Sequence, residues 1–157
     1  MWIDDEGKRN PTIEPNIAIF GFFGQYRWLS NYHLCKIELD GNVYNSSEAA
    51  YMSCKCYVEE DARLFVGDIT PVQAKKLGQT VLIRSDWEHY RLIAMMKVLT
   101  AKFTQNQDLY DLLLSTGDMY LEETNNWKDT FWGVDKNLDE GYNMLGKCLM
   151  AVRSSIK

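Results

Sequence analysis

The chain has 157 residues, 46% of them hydrophobic and 25% charged, an ordinary globular composition of a size that supports a core without disulfide or metal staples. Its net charge of −5 excludes a protein that holds nucleic acid mainly through a basic surface, and leaves room only for a local pocket for one or two phosphates. No apolar run approaches membrane-spanning length.

Residues 1–15 carry two of the three prolines and alternating charge, and are expected to form a loose N-terminal arm ahead of one compact domain over 16–157. The polar start from Met1 to Asn10 is no signal peptide, so a reducing cytoplasm and free thiols are expected. Ile17 to Phe23, bounded by Gly24, predicts a short buried strand. Cys35 to Tyr44 predicts a hairpin, with Asp40-Gly41 as its tight turn. Asn45-Ser46-Ser47-Glu48 opens a helix expected to run to about Glu60. Thr70-Pro71 starts a short helix that Gly78 ends. Ser85-Asp86-Trp87-Glu88 reads as a capping box at the head of the longest helix, to about Phe103. A helix follows over about Gln107 to Ser115, then short extended pieces at Met119–Glu123 and Thr130–Val134. The last helix starts at about Tyr142, with Leu145, Leu149, Val152 and Ile156 on one stripe. The fold class is α+β, predominantly helical, with a small antiparallel sheet.

There is no phosphate-binding P-loop and no dinucleotide fingerprint. Two histidines, His33 and His89, have no evident serine or cysteine partner, so carboxylates and lysines carry any proton chemistry. Cys54 and Cys56 point to nearly opposite sides of a helix and do not match usual zinc spacing. Thirteen per cent of the chain is aromatic; the rings either line a cleft and stack on a flat ligand or are additional core. Glu48 and Lys55, seven helical steps apart, return to the same face within about 20°, with Tyr51 and Met52 between them. They either converge on one ligand, or Glu48 completes a capping box with Asn45 and Lys55 is a solvated lysine. In Asp129-Thr130-Phe131-Trp132-Gly133-Val134, the Trp-Gly pair allows close backbone approach beside a large ring, and Asp129 could act as general acid or hold a sugar hydroxyl. The alternative there is a turn with a core Trp. Ser30-Asn31 is either a ligand-binding loop or an ordinary turn.

Taken in order, these segments resemble the YbiA-like or NADAR family over about residues 17–155. Trp28-Leu29-Ser30-Asn31-Tyr32 is similar to the family's Phe/Leu-Ser-Asn-Phe element, and Ser47 to Lys55 to its Ser-Glu-His/Ala-x-Tyr/Phe-x-x-x-Lys helix. Ala74 to Gly78, Arg84 to Trp87, Met95 to Phe103, Leu113 to Glu122, Asp129 to Gly133 and Asn143 to Met150 match the remaining elements. Two departures stand out: Ala49 where many members carry His, and Gln79 where Arg often follows the Gly.

The resemblance implies an N-glycosidase that hydrolyses a ribose carbon–nitrogen bond with no metal and no cofactor. The substrate is then a ribosylated intermediate of riboflavin synthesis, or ADP-ribosyl-guanine in nucleic acid, with no membrane and no obligate protein partner. It makes Glu48 the expected catalytic carboxylate, steadying a sugar cation or shuttling protons for a lysine that captures the opened sugar. Lys55 is the first choice for that amine and Lys102 the second. Trp87 and Trp132 would stack on the substrate, with Tyr51 and Gly133 beside it. Ser30, Asn31, Asp129 and Asn143 would bind sugar hydroxyls or other polar groups, and Arg84 and Lys75 phosphate. The competing expectation is a module that binds ADP-ribose or a nucleotide without cleaving it.

Overall fold

The computed structural model describes residues 6–8 and 17–157, which fall into two compact units. One is Asn31–Leu112; the other combines the chain up to Ser30 with Leu113–Lys157.

The Asn31–Leu112 unit is built on a hairpin of β2 (Leu34–Leu39) and β3 (Asn42–Ser46), antiparallel as expected. Asp40 and Gly41 at its turn have φ of 51° and 84°, the left-handed pair that a two-residue turn of matching twist requires. The outer edge of β2 is closed by side chains. The Gln105 amide accepts from the Glu38 N–H at 2.7 Å and donates to the Glu38 carbonyl at 2.8 Å, much as a neighbouring strand would. Four helices follow: α1 (Ser47–Cys54), α2 (Glu59–Arg63), α3 (Pro71–Gly78) and α4 (Trp87–Gln105). Ile37, Ala49, Ala50, Phe65, Ala74, Ala94, Val98, Leu99 and Phe103 have no exposed surface and form this unit's core. Thr70 caps α3 in a reciprocal box with Gln73, and Pro71 takes the first helical position, as the sequence predicts.

Two expected helix starts are different. The long helix from Asn45 to Glu60 is two helices, because Lys55 caps α1 and residues 55–57 turn to pair with 82–84. The predicted capping box at Ser85–Glu88 does not form. The Asp86 carboxylate is taken by Arg84, at 2.6 Å and 3.1 Å, leaving α4 with no side-chain cap.

The other unit holds two parallel strand pairs, β1 (Ala18–Phe20) with β4 (Tyr120–Glu122) and β5 (Thr124–Asn125) with β6 (Val134–Asp135). The expected antiparallel sheet is therefore confined to the hairpin, and two of the three named pairs are parallel. A 3-10 helix spans Gly24–Leu29, and α6 covers Met144–Ser155, beginning two residues after the predicted start. The extended piece expected at Thr130–Val134 is a loop up to Gly133. Helix α5 (Gln107–Ser115) crosses the division between the units. Most of the expected arm lies outside the described residues; Lys8 is bridged antiparallel to Glu140, so this part of it is held.

Candidate active site

Glu48 sits in the first turn of α1 and is 7% exposed. The cap of that helix is Ser46, whose hydroxyl accepts from the Ala49 N–H at 3.1 Å. Asn45 is not the cap and Glu48 is not at the third helical position, so the capping-box reading of this carboxylate is excluded.

A buried cluster surrounds it within the same unit. The Glu48 N–H donates to the Asn31 carbonyl at 3.0 Å, and the Ser47 hydroxyl donates to Asn31 Oδ1 at 2.9 Å. Asn31 Nδ2 is turned to the Met95 sulfur at 3.6 Å, which places Asn31 between α1 and α4. Tyr51, one turn after Glu48, packs on Trp87 with ring centroids 5.2 Å apart, and Trp87 packs on Tyr90 at 6.4 Å. The Tyr51 hydroxyl is held well above its ordinary range, mainly by burial, with the Glu48 charge adding to it and the Arg91 charge opposing. Tyr32 is raised in the same direction, by burial first and by Glu48 second.

On α4, Trp87, Arg91, Met95 and Lys102 are spaced four, four and seven apart, so they share one broad stripe of the helix. Lys102 has no exposed surface, and its amine lies 5.2 Å from the centre of the Phe103 ring. Burial lowers its pKa to about 8, with Cys35 nearby offsetting part of the shift. Lys55 is differently placed. Its amine donates to the Gly78 carbonyl at 2.8 Å and ties the end of α1 to the end of α3.

Of the expected residues, Asn31, Glu48, Tyr51 and Trp87 are brought together in this unit. Lys75 is exposed on α3. Arg84 is engaged by Asp86 and lies 3.8 Å over the Tyr90 ring. Arg91, Tyr32, Ser47 and Met95 were not anticipated; the available signal was the four-residue spacing from Trp87 to Arg91 to Met95.

The remaining expected residues lie in the other unit. Ser30 ends the 3-10 helix, its N–H donating to the Arg27 carbonyl at 2.9 Å. Asp129 Oδ1 accepts from the N–H groups of Phe131 and Trp132 at 3.2 Å and 3.0 Å, so it shapes the loop that carries Trp132. Trp132 is half-buried, edge-on to Phe131 at 4.8 Å. Gly133 does allow a close approach, but to protein: a Cβ there would collide with the Glu123 carbonyl. Asn143 is fully buried and internally committed. Its Oδ1 accepts from the Glu123 N–H at 3.0 Å, and its Nδ2 donates to the Leu121 carbonyl at 2.9 Å and to the Tyr120 hydroxyl at 3.1 Å. Among the described residues, no group of three or more His, Cys, Asp or Glu is arranged to hold a metal ion.

Residues 21–157 match the family model described as NADAR domain. An N-glycosidase of Nostoc punctiforme is 34% identical over 146 residues, covering 90% of this chain and 92% of that protein. N-glycosidase YbiA of Escherichia coli is 33% identical over 144 residues, covering 89% and 88%. A riboflavin biosynthesis protein of Vibrio vulnificus is 35% identical over 95% of this chain, which spans 41% of that longer protein. The NMR structure of E. coli YbiA is similar with a TM-score of 0.78 and 29% identity, over 89% of this chain and 83% of that one, and shares the mainly helical α+β fold.

Proposed function

The chain belongs to the NADAR family, and from that premise we propose that it is an N-glycosidase that hydrolyses a small ribosylated molecule with Glu48 as its central catalytic group. Its class is that of hydrolases acting on N-glycosyl bonds, as in the N-glycosidases it resembles. The riboflavin biosynthesis relatives favour a ribosylated pyrimidine intermediate of that synthesis as the substrate.

The observation that carries the reading is the buried carboxylate at the head of α1, relieved of capping by Ser46, with Asn31 and Tyr51 beside it and Trp87 packed on Tyr51. Cleavage of a ribose C1–N bond places positive charge on the sugar and an electron pair on the leaving nitrogen. A carboxylate in a poorly hydrated wall stabilises that cation more strongly than one in water. It also removes a proton from water as the oxygen joins C1, while the departing base takes up a proton; the products are the free sugar and the base. Asn31, already oriented by Ser47, is suited to a ribose hydroxyl. Should the sugar instead be captured as an imine, Lys55 and Lys102 remain the two candidate amines; burial leaves part of Lys102 as the neutral amine, and Lys55 would first have to release the Gly78 carbonyl.

Glu48→Gln tests this directly. The substitution keeps size and helix and removes only the charge and the proton acceptor. Turnover of a ribosylated pyrimidine should fall about 100-fold or more, with substrate still bound and the unfolding midpoint nearly unchanged. Near wild-type turnover in a folded Glu48→Gln protein would exclude the mechanism. Binding without turnover by the wild-type protein, for every ribosylated base tried, would make it a recognition module instead.

A further inference from the structure

Two neighbours decide which end of the Asn31 amide the cluster presents. An amide oxygen accepts and an amide nitrogen donates, so turning the group over reverses what it can bind. The Ser47 hydroxyl, on a residue with no exposed surface, donates to Asn31 Oδ1 at 2.9 Å. The Met95 sulfur lies 3.6 Å from Asn31 Nδ2. A thioether has lone pairs and no hydrogen, so it suits the amide nitrogen and would repel the oxygen. Both neighbours therefore select one orientation. The backbone is fixed as well, since the Asn31 carbonyl accepts from the Glu48 N–H at 3.0 Å. Among the described residues, the Met95 sulfur is the one acceptor that the Asn31 NH2 group meets. Sulfur is a weak acceptor, so an oxygen on a ligand readily takes its place.

We propose that Ser47 is a positioning residue that makes Asn31 donate to the 2-hydroxyl oxygen of ribose, so that the site selects ribosyl over 2-deoxyribosyl substrates. The choice of hydroxyl rests on the glycosidase reading of Glu48. A carboxylate acting at C1 has the hydroxyl on C2 beside it, and Asn31 is in direct contact with Glu48. With its oxygen taken by the amide, the 2-hydroxyl turns its own hydrogen to the Glu48 carboxylate. Ser47, Asn31, the sugar hydroxyl and Glu48 then form one chain of donors running the same way, in which each bond strengthens the next. A reversed amide would accept the sugar hydrogen and draw it away from Glu48. Ser47 thus acts on the substrate through Asn31 and touches no reacting atom.

The experiment is a titration of the whole protein with the methyl furanosides of ribose and of 2-deoxyribose, followed by chemical-shift change. Both probes keep the furanose ring and have no carbon–nitrogen bond to hydrolyse. The wild-type protein should bind the ribose derivative at least about fivefold more tightly, the worth of one hydrogen bond. Ser47→Ala should erase that preference by weakening the ribose derivative alone. Met95→Leu keeps the volume and removes the competing sulfur, so it should widen the preference. It also keeps the test decisive if Ser47→Ala does not fold. A serine that merely supports the fold would weaken both ligands together, which would overturn the proposal. So would a preference that survives Ser47→Ala, one that Met95→Leu leaves unchanged or narrows, or none in the wild-type protein. If the selection is found as expected and no ribosylated base is turned over, Ser47 stands and the glycosidase reading falls. Turnover of a ribosylated pyrimidine without the selection leaves the glycosidase and removes this role of Ser47.

Discussion

Taking a lysine amine wholly out of water penalises its charged form, so the ionisation of Lys102 reports on folding as well as on chemistry. Its pKa falls from 10.5 in the unfolded chain to about 8 in the folded one. Below about pH 8 both states carry the proton and the folded state bears the full cost of the buried charge. Between about 8 and 10.5 the unfolded chain binds more protons than the folded one, so stability rises with pH across that window. Wild-type stability minus that of Lys102→Met should therefore increase from pH 7 to pH 10 by an amount on the order of 3 kcal/mol. Denaturant unfolding of both proteins at the two pH values measures this. A difference that does not change with pH would mean that the amine is not forced towards neutrality by burial. If the amine also captures the sugar, kcat should rise through about pH 8 and borohydride should trap an adduct absent from Lys102→Met. Lys55→Ala should keep that adduct and lose about 1 kcal/mol of stability with the hydrogen bond to Gly78.

At the level of elements, what could be read from the chain was local. The Asp40-Gly41 hairpin and the Thr70-Pro71 helix start each depend on a few adjacent residues, and both form as predicted. The Ser85–Glu88 start failed because the helix begins one residue later, with Asp86 at the cap, and Arg84, also local, takes that carboxylate; spacing alone does not rank such partners. The parallel pairs could not be read because Ala18 meets Tyr120 across a distant part of the sequence. The site was legible where a helix period carried it, at Glu48 and Tyr51. It was not legible at Arg91, which in sequence is one more charged residue on a long helix. The loop around Gly133 was left with two readings for a related reason: a glycine needed for close approach does not say what approaches. Gly133→Ala should therefore act on stability rather than on ligand binding. The new Cβ meets the Glu123 backbone carbonyl, and also the Asn125 side-chain amide that is held to the Asp129 carbonyl at 2.8 Å, so a loss of about 1–3 kcal/mol is expected. Thr70→Ala, which removes only one cap, should cost about 1 kcal/mol. Equal midpoints for the two variants would mean that the 123–133 contact yields easily.

For the whole molecule, the family domain spans residues 21–157, no helix among the described residues is long and apolar enough to cross a membrane, and the chain carries a net charge of −5. That charge separates the two substrate classes. A nucleic acid is held through many phosphates, and each one neutralised releases counterions, so affinity falls steeply with salt. An acidic protein that takes a small ribosylated molecule with one phosphate has a single such contact to lose. Raising NaCl from about 50 to about 200 mM should therefore raise KM for a phosphorylated ribosyl substrate by no more than about fourfold, the limit for a slope near one. Over the same range kcat should stay level. Steady-state kinetics at four or five salt concentrations distinguishes the cases. A loss of about a thousandfold over the same range would show several phosphates in contact, and would move the substrate from a small ribosylated molecule to a modified nucleic acid.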